Sequence, residues 1–168
     1  MSYFNRRHLL IAGASLLVSA CNFTPIYGPE GAGSQIENRI LIKAPTTKDA
    51  YFVTRRLETR LGRADPAPMT LSFSVSNSSA GLGTTATGST TRVQRVGSLS
   101  YTLKNSATGK NIAKGSVSNF TGYSATGNTA ATLAAERAAE RAAIERLMNI
   151  LADQLVDRLL LLDPATLP

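Results

Sequence analysis

Few side chains in this sequence could act as nucleophile, metal ligand or covalent anchor, and one of them stands out by position. The single cysteine, Cys21, closes the apolar and small-residue run "LLIAGASLLVSA", and the single histidine, His8, lies upstream in "MSYFNRRHLL". Val18-Ser19-Ala20-Cys21 reads as a lipobox: a branched residue and two small ones fit a signal peptidase. The thiol takes a diacylglyceryl group before the chain is cut after Ala20. Arg6 and Arg7, with no acidic residue beside them, supply the basic start of a bacterial secretion signal. The apolar run is short of the ~20 residues that span ~30 Å of hydrocarbon, so cleavage is expected over a permanent transmembrane anchor. A lone cysteine has no disulfide partner in an oxidising compartment. Lipidation gives it a use, because each buried methylene contributes about 0.8 kcal/mol to membrane binding. Asn22 stands where an aspartate would favour retention at the inner membrane, which directs the expectation to the outer membrane.

The same cut restricts the remaining chemistry. Of 168 residues, loss of the first 20 leaves 148, and loss of Arg6 and Arg7 lowers the formal charge from +7 to +5. Without His8 and a free thiol there is no Ser-His-Asp triad, no thiolate nucleophile and no zinc site of the usual nitrogen and sulfur type. No glycine-rich phosphate loop follows a strand and opens a helix. No catalytic residue, metal or cofactor is therefore expected. Carboxylate pairs remain as a source of hydrolysis, but most of the eleven acids fall in helical patterns such as "AAERAAERAAIER", where they alternate with arginine. That spacing predicts a solvated face with ion pairs three or four residues apart, Arg137 with Glu140 among them.

The elements that must position these groups follow from periodicity. Pro25, Pro29 and several glycines in "NFTPIYGPEGAGSQ" predict an extended tether over residues 21–35. Ile36, Ile40 and Ile42 fit one face of a strand ending near Pro45. Thr46 and Asp49 resemble a capping box, and Ala50, Val53, Leu57 and Leu61 give the following helix an apolar side. Its other side is basic, which predicts arginines kept in water and no nucleic-acid partner. "MTLSFSVSN" alternates as a half-buried strand. "SSAGLGTTATGSTT", residues 78–91, has no charge and reads as a long loop. "RVQRVGSLSYTLKN" and "NIAKGSVSNFTGYS" complete an antiparallel meander, with a bulge expected where the alternation shifts between Ile112 and Val117 and again near Phe120. From Thr129 to Leu162 there is no proline or glycine, and Leu133, Ile144, Leu147, Leu151, Leu155, Leu159 and Leu162 form a helical stripe. Alanines narrow the first half of this helix, which is expected to reach past the sheet. The fold class is α+β: a two-layer sandwich of two helices on one face of a mixed four-stranded sheet, in the order β-α-β-β-β-α.

"CNFTPIYG", this order of elements and the close "YSATGNTAATLAAERAAERAAIERLMNILADQLVDRLL" together resemble the LptE family of lipopolysaccharide-assembly lipoproteins, in its alphaproteobacterial form. The resemblance implies a cleaved signal over residues 1–20, a lipidated tether over 21–35, an LptE-like domain over 36–162 and a C-terminal tail over 163–168. It also implies a binding role without catalysis: a lipid-anchored protein on the periplasmic face of the outer membrane. Such a protein plugs and helps assemble the LptD β-barrel and contacts lipopolysaccharide in transit. In an up-down-up meander, the loop at 78–91 and the turn at 121–129 share one end. Arg92 and Arg95 are therefore the candidate phosphate ligands, through forked hydrogen bonds; the competing reading is ordinary strand arginines. Lys104, Lys110 and Lys114 belong nearer the other end and rank lower. Two other classes stay open: a lipoprotein adaptor for a different envelope complex, and a hydrolase using two inward carboxylates.

Overall fold

In the computed structural model, residues 25–29, 31–84, 90–125 and 129–168 are described; Cys21 and the apolar run before it lie outside these. A short helix, α1 (Ala32–Ile36), precedes strand β1 (Ile40–Ile42), helix α2 (Lys48–Leu61), strands β2 (Met69–Thr84), β3 (Thr90–Asn105) and β4 (Asn111–Ser124), and the long helix α3 (Ala130–Leu160). The sheet order is β1-β2-β3-β4, with β1 parallel to β2 and the other neighbours antiparallel. This is the mixed α+β sandwich that the alternation and helical spacing predict, with α1 as a third helix.

Two N-terminal expectations need correction. Among the described residues regular structure begins at Ala32, inside the stretch whose prolines and glycines predict only a tether, because Ala32 and Ile36 bury their side chains in the core. Ile36 therefore belongs to α1, and β1 is three residues long. Asn38, at φ 56°, turns the chain between them, in a left-handed conformation that asparagine tolerates better than most residues. A spacing of four between Ile36 and Ile40 suits a helix-to-strand passage as well as it suits two turns of pleat.

Thr47, not Thr46, caps α2: its hydroxyl accepts from the Ala50 amide at 3.1 Å. Ala50, Val53, Leu57 and Leu61 are all buried, as their period requires. Gly62 ends the helix at φ 77°, and a Cβ there would meet the Asn38 amide oxygen at 1.9 Å, so no larger residue fits this turn. α3 is capped by Thr129, which accepts from the Thr132 amide while the Thr132 hydroxyl accepts from the Thr129 amide at 3.0 Å.

The core lies between the helices and one face of the sheet. Leu147, Leu151, Leu155 and Leu159 of α3 are completely buried and meet Leu71, Leu99 and Leu103 in the same cluster. At about 1.5–3 kcal/mol for each fully buried leucine, these side chains fix where α3 lies. From Thr132 to Ala142 no residue of α3 is buried, and Leu133 is 46% exposed. The alanine-rich half therefore extends beyond the packed layer. Helix and sheet approach closely at Gly97, where a Cβ would meet Leu147 Cδ2 at 2.9 Å.

The uncharged stretch at 78–91 is mostly strand. β2 continues to Thr84 and β3 starts at Thr90, with the ladder unbroken from Ser78 opposite Val96 to Leu82 opposite Arg92; only residues 85–89 lie outside the described ones. Apolar alternation reports burial of one face, and Ser78–Leu82 are exposed, so their strand carries no such signal. A register shift does occur beside Ile112, between Leu103 opposite Ala113 and Lys104 opposite Asn111. None occurs at Phe120, which pairs in regular register with Val96.

Candidate functional site

At the hairpin end of the sheet, β2 and β3 run out together and β4 closes beside them, with Arg92 opposite both Leu82 and Ser124. The Ala125 amide donates to the Thr91 carbonyl at 3.1 Å, which holds the end of β4 against β3. Alternation along β3 then decides where each arginine goes, because residues three apart point to opposite faces.

Arg95 shares the parity of Leu99 and turns toward the helices. Its side chain is 14% exposed; one terminal nitrogen donates to the Asn77 side-chain oxygen Oδ1 and the other lies 3.4 Å from Glu140 on α3. Asn77 in turn donates to Asp49 at the start of α2, so one chain of contacts joins α2, β2, β3 and α3. The Arg95 Nε is buried without a partner among the described residues. Tyr123, on the same inner face, has its phenol pushed above the ordinary tyrosine range, first by burial and then by the charges of Glu140 and Glu136, with Arg95 acting in the opposite direction.

Arg92 takes the outer face. It is exposed and has no ion pair among the described residues. Around it the outer face is unusually apolar for a solvated surface: Leu82 is 46% exposed, Val96 41% and Phe120 62%, the last two directly paired across strands. The Arg92 Nε lies 3.8 Å from where a Cβ on Gly122 would sit, which places the guanidinium over β4. The rest of this face is lined with small hydroxyls, including Ser74, Ser76, Ser98, Ser100, Ser116 and Ser118, with Ser76 and Ser98 hydrogen-bonded at 2.9 Å.

The two arginines are thus on opposite sides of the sheet and do not form one clamp. Lys104 and Lys114 share the outer face with Arg92 but at the other end, and Lys110 lies in the turn there. Twelve residues of strand separate Arg92 from Lys104, about 40 Å at the usual rise. A single small anion cannot bridge them.

Several other charges pair between α2 and α3. Glu145 accepts from Arg55, Asp153 from Arg56 Nε at 2.9 Å, and Arg60 approaches Asp153 at 3.7 Å. The Arg56 guanidinium is held further above its ordinary range by its hydrogen bond to Asp153 and by that carboxylate's charge. The arginines of α2 therefore face α3, whose Glu145 and Asp153 pair with α2 and whose Glu140 pairs with β3. No ion pair within α3 occurs among the described residues, and Glu140 goes to Arg95 where i,i+3 spacing predicts Arg137. Among the described residues, no three of the His, Cys, Asp and Glu side chains converge to hold a metal, and no helix is long and apolar enough to cross a membrane.

Sequence reasoning on single motifs missed Leu82, Val96 and Phe120. Their signal is an even-numbered apolar set on β2, β3 and β4, legible once the register is known.

A family model described as LptE, lipopolysaccharide-assembly, matches residues 41–159. The chain belongs to the LptE family. Solved structures share the LptE-like fold. A candidate lipoprotein from Caulobacter crescentus CB15 is 19% identical at TM-score 0.60, covering 77% of this chain and 92% of that one. The minor lipoprotein from Acinetobacter baumannii is 15% identical at TM-score 0.58, covering 74% and 92%. The rare lipoprotein B from Shewanella oneidensis is 16% identical at TM-score 0.53, covering 71% and 90%. No curated protein matches the chain. Membership of LptE supports a role in lipopolysaccharide transport for this lipoprotein-like chain.

Proposed function

We propose that this LptE-family chain is an outer-membrane lipoprotein, held on the periplasmic face by a lipid on Cys21. In this reading it plugs and helps assemble the LptD barrel, and binds lipopolysaccharide on its way to the cell surface. The observation that carries the binding step is the exposed Arg92 set among Leu82, Val96 and Phe120. A lipid with phosphates above acyl chains needs a cation beside an apolar surface, and a guanidinium meets phosphate oxygens through forked hydrogen bonds. Arg95, on the other face of the sheet and held by Asn77 and Glu140, does not share this contact, so Arg92 carries it. Lys104, Lys110 and Lys114 serve, at most, a second and distant anionic contact.

The hydroxyl-rich outer face supports the plug reading, since small polar side chains on an exposed sheet face suit a water-filled barrel wall. No catalytic step is required of any residue: Glu145, Asp153, Glu58 and Glu140 are engaged by arginines. Titration of the purified lipid-anchored protein with lipopolysaccharide tests the binding step. Arg92→Glu is expected to weaken binding several-fold and Lys104→Glu to leave it within about twofold, as exposed charge pairs contribute about 0.2–1 kcal/mol each. Equal affinities for parent and Arg92→Glu would remove Arg92 from the site.

A further inference from the structure

The two edges of the sheet differ. β1 is three residues long, with Ile40 buried, while β4 runs for 14 residues with no strand on its outer side among the described residues. The Ala125 amide donates to the Thr91 carbonyl, so odd-numbered residues of β4 bond to β3 and even-numbered ones turn their backbone groups outward. Those even-numbered residues, Lys114, Ser116, Ser118, Phe120 and Gly122, are all exposed. One of their amides is occupied, since the Phe120 N–H donates to Asn119 Oδ1 at 2.7 Å. Proteins ordinarily guard a free edge with charge, proline or a bulge. From Gly115 to Ser124 β4 has no charge, no proline and no shift of register. A groove of about 410 Å³ follows the inner side of this edge, lined by Ser116, Val117 and Ser118 and by Gln154, Asp157, Arg158 and Leu161. Leu161 is 73% exposed, and the Gln154 Oε1 is buried with no partner among the described residues. Asp157 and Arg158 are exposed, and neither has an ion pair among the described residues.

We infer that β4 pairs with β4 of a second copy of this chain, antiparallel about a two-fold axis at Ser118, joining two sheets into one. Strand pairing satisfies the outward backbone groups of Ser116, Ser118 and Gly122. Self-complementarity, which a two-fold interface demands, favours a second copy as the occupant. In this register Lys114 faces Gly122 and Ser116 faces Phe120, so no like charges meet across the new strand pair. Asp157 and Arg158 stand level with Ser116 and Ser118, and the axis therefore sets the acid of each copy near the base of the other. A partner of one charge would satisfy only half of this pair. Asn119 completes the match. Its oxygen is used by Phe120, and its amide nitrogen falls opposite Val117 of the second copy, at the groove where the Gln154 Oε1 lacks a donor.

This inference stands apart from the transport reading: it concerns the lipoprotein free of any partner, and either can fail without the other. The test is sedimentation equilibrium of the full lipid-anchored chain in detergent micelles, from micromolar to submillimolar protein. A reversible dimer is expected. Ser118→Cys is expected to cross-link to its own copy under mild oxidation, because the Cα atoms of a hydrogen-bonded antiparallel pair lie about 5.5 Å apart, within disulfide reach. Ser100→Cys, exposed on β3, is expected to stay uncross-linked. Ser118→Lys sets like charges opposite each other at an exposed position and is expected to weaken the dimer about fivefold. Asp157→Arg alone should weaken it about two- to fivefold, and adding Arg158→Asp should restore the parent value to within about twofold. A monomer at every concentration overturns the inference. Dimers that neither Ser118→Lys nor Asp157→Arg weakens, as shared micelles alone would give, overturn it too, and so does Ser100→Cys cross-linking as readily as Ser118→Cys.

Discussion

Gly97→Ala probes the contact that sets the helix layer against the sheet. A Cβ at this position would lie 2.9 Å from Leu147 Cδ2, 3.1 Å from Leu151 Cδ1 and 3.2 Å from Leu147 Cγ. Both leucines are fully buried, so neither can swing into solvent to make room. Overpacking of this kind costs about 1–3 kcal/mol. Replacing glycine also narrows the unfolded ensemble, which offsets about 0.4–1 kcal/mol. The net expectation is a loss of about 1–2 kcal/mol. At about 2–4 °C per kcal/mol for chains of this size, that lowers Tm by about 2–8 °C. The assay is equilibrium urea denaturation of the domain beginning at Asn22, followed by far-ultraviolet circular dichroism. Leu147→Ala alone is expected to lose about 2–5 kcal/mol. The double variant should lose about 1 kcal/mol less than the sum of the two, because the new methyl group moves into the vacated space. A Gly97→Ala protein as stable as its parent, or strictly additive losses, would refute the packing argument.

Other outcomes follow from the polar contacts. Tyr123 has its phenol raised by burial and by Glu140 and Glu136, so the folded state holds the proton more tightly than the unfolded chain does. Its stabilising effect is full below the unfolded value near 10 and is lost as pH rises through the folded value; Tyr123→Phe should therefore melt with the parent at pH 8 and fall less steeply above pH 10. Asp153→Asn removes the acceptor of both Arg56 and Arg60, but at 34% exposure the loss should stay within about 1 kcal/mol and shrink in 1 M salt, read by thermal melts at two ionic strengths. Thr54→Val removes a buried hydroxyl that has no partner among the described residues and should raise stability by about 1 kcal/mol; a loss of that size in urea denaturation would show that the hydroxyl is satisfied in solution.

How much of this was legible beforehand depended on burial. Ala50, Val53, Leu57 and Leu61 announced α2, and Met69, Leu71, Phe73 and Val75 announced the first half of β2, because each element hides one face from water. Ser78–Leu82 announced nothing, since a strand exposed to water on both faces has no reason to alternate. Parity also carries the direction of Arg95: it is an even number of residues from Leu99, so its inward orientation follows once β3 is a strand. The partners of charged groups were the least legible part. Glu140 and Glu145 stand at helical spacing from arginines of their own helix yet pair with Arg95 and Arg55. Only tertiary packing shows which neighbour comes closer. Ile36 is ambiguous for the opposite reason, since a core residue four positions before Ile40 fits either a strand or a helix followed by a turn.

The transport reading is tested most directly by depleting the protein from its own bacterium, restoring either the parent or the Cys21→Ala chain, and capturing each from detergent-solubilised outer membrane. The account predicts that the parent copurifies with an LptD-sized barrel, that depletion lowers surface lipopolysaccharide, and that Cys21→Ala is recovered poorly from the membrane fraction. Capture without a barrel, together with unchanged surface lipopolysaccharide after depletion, would contradict it.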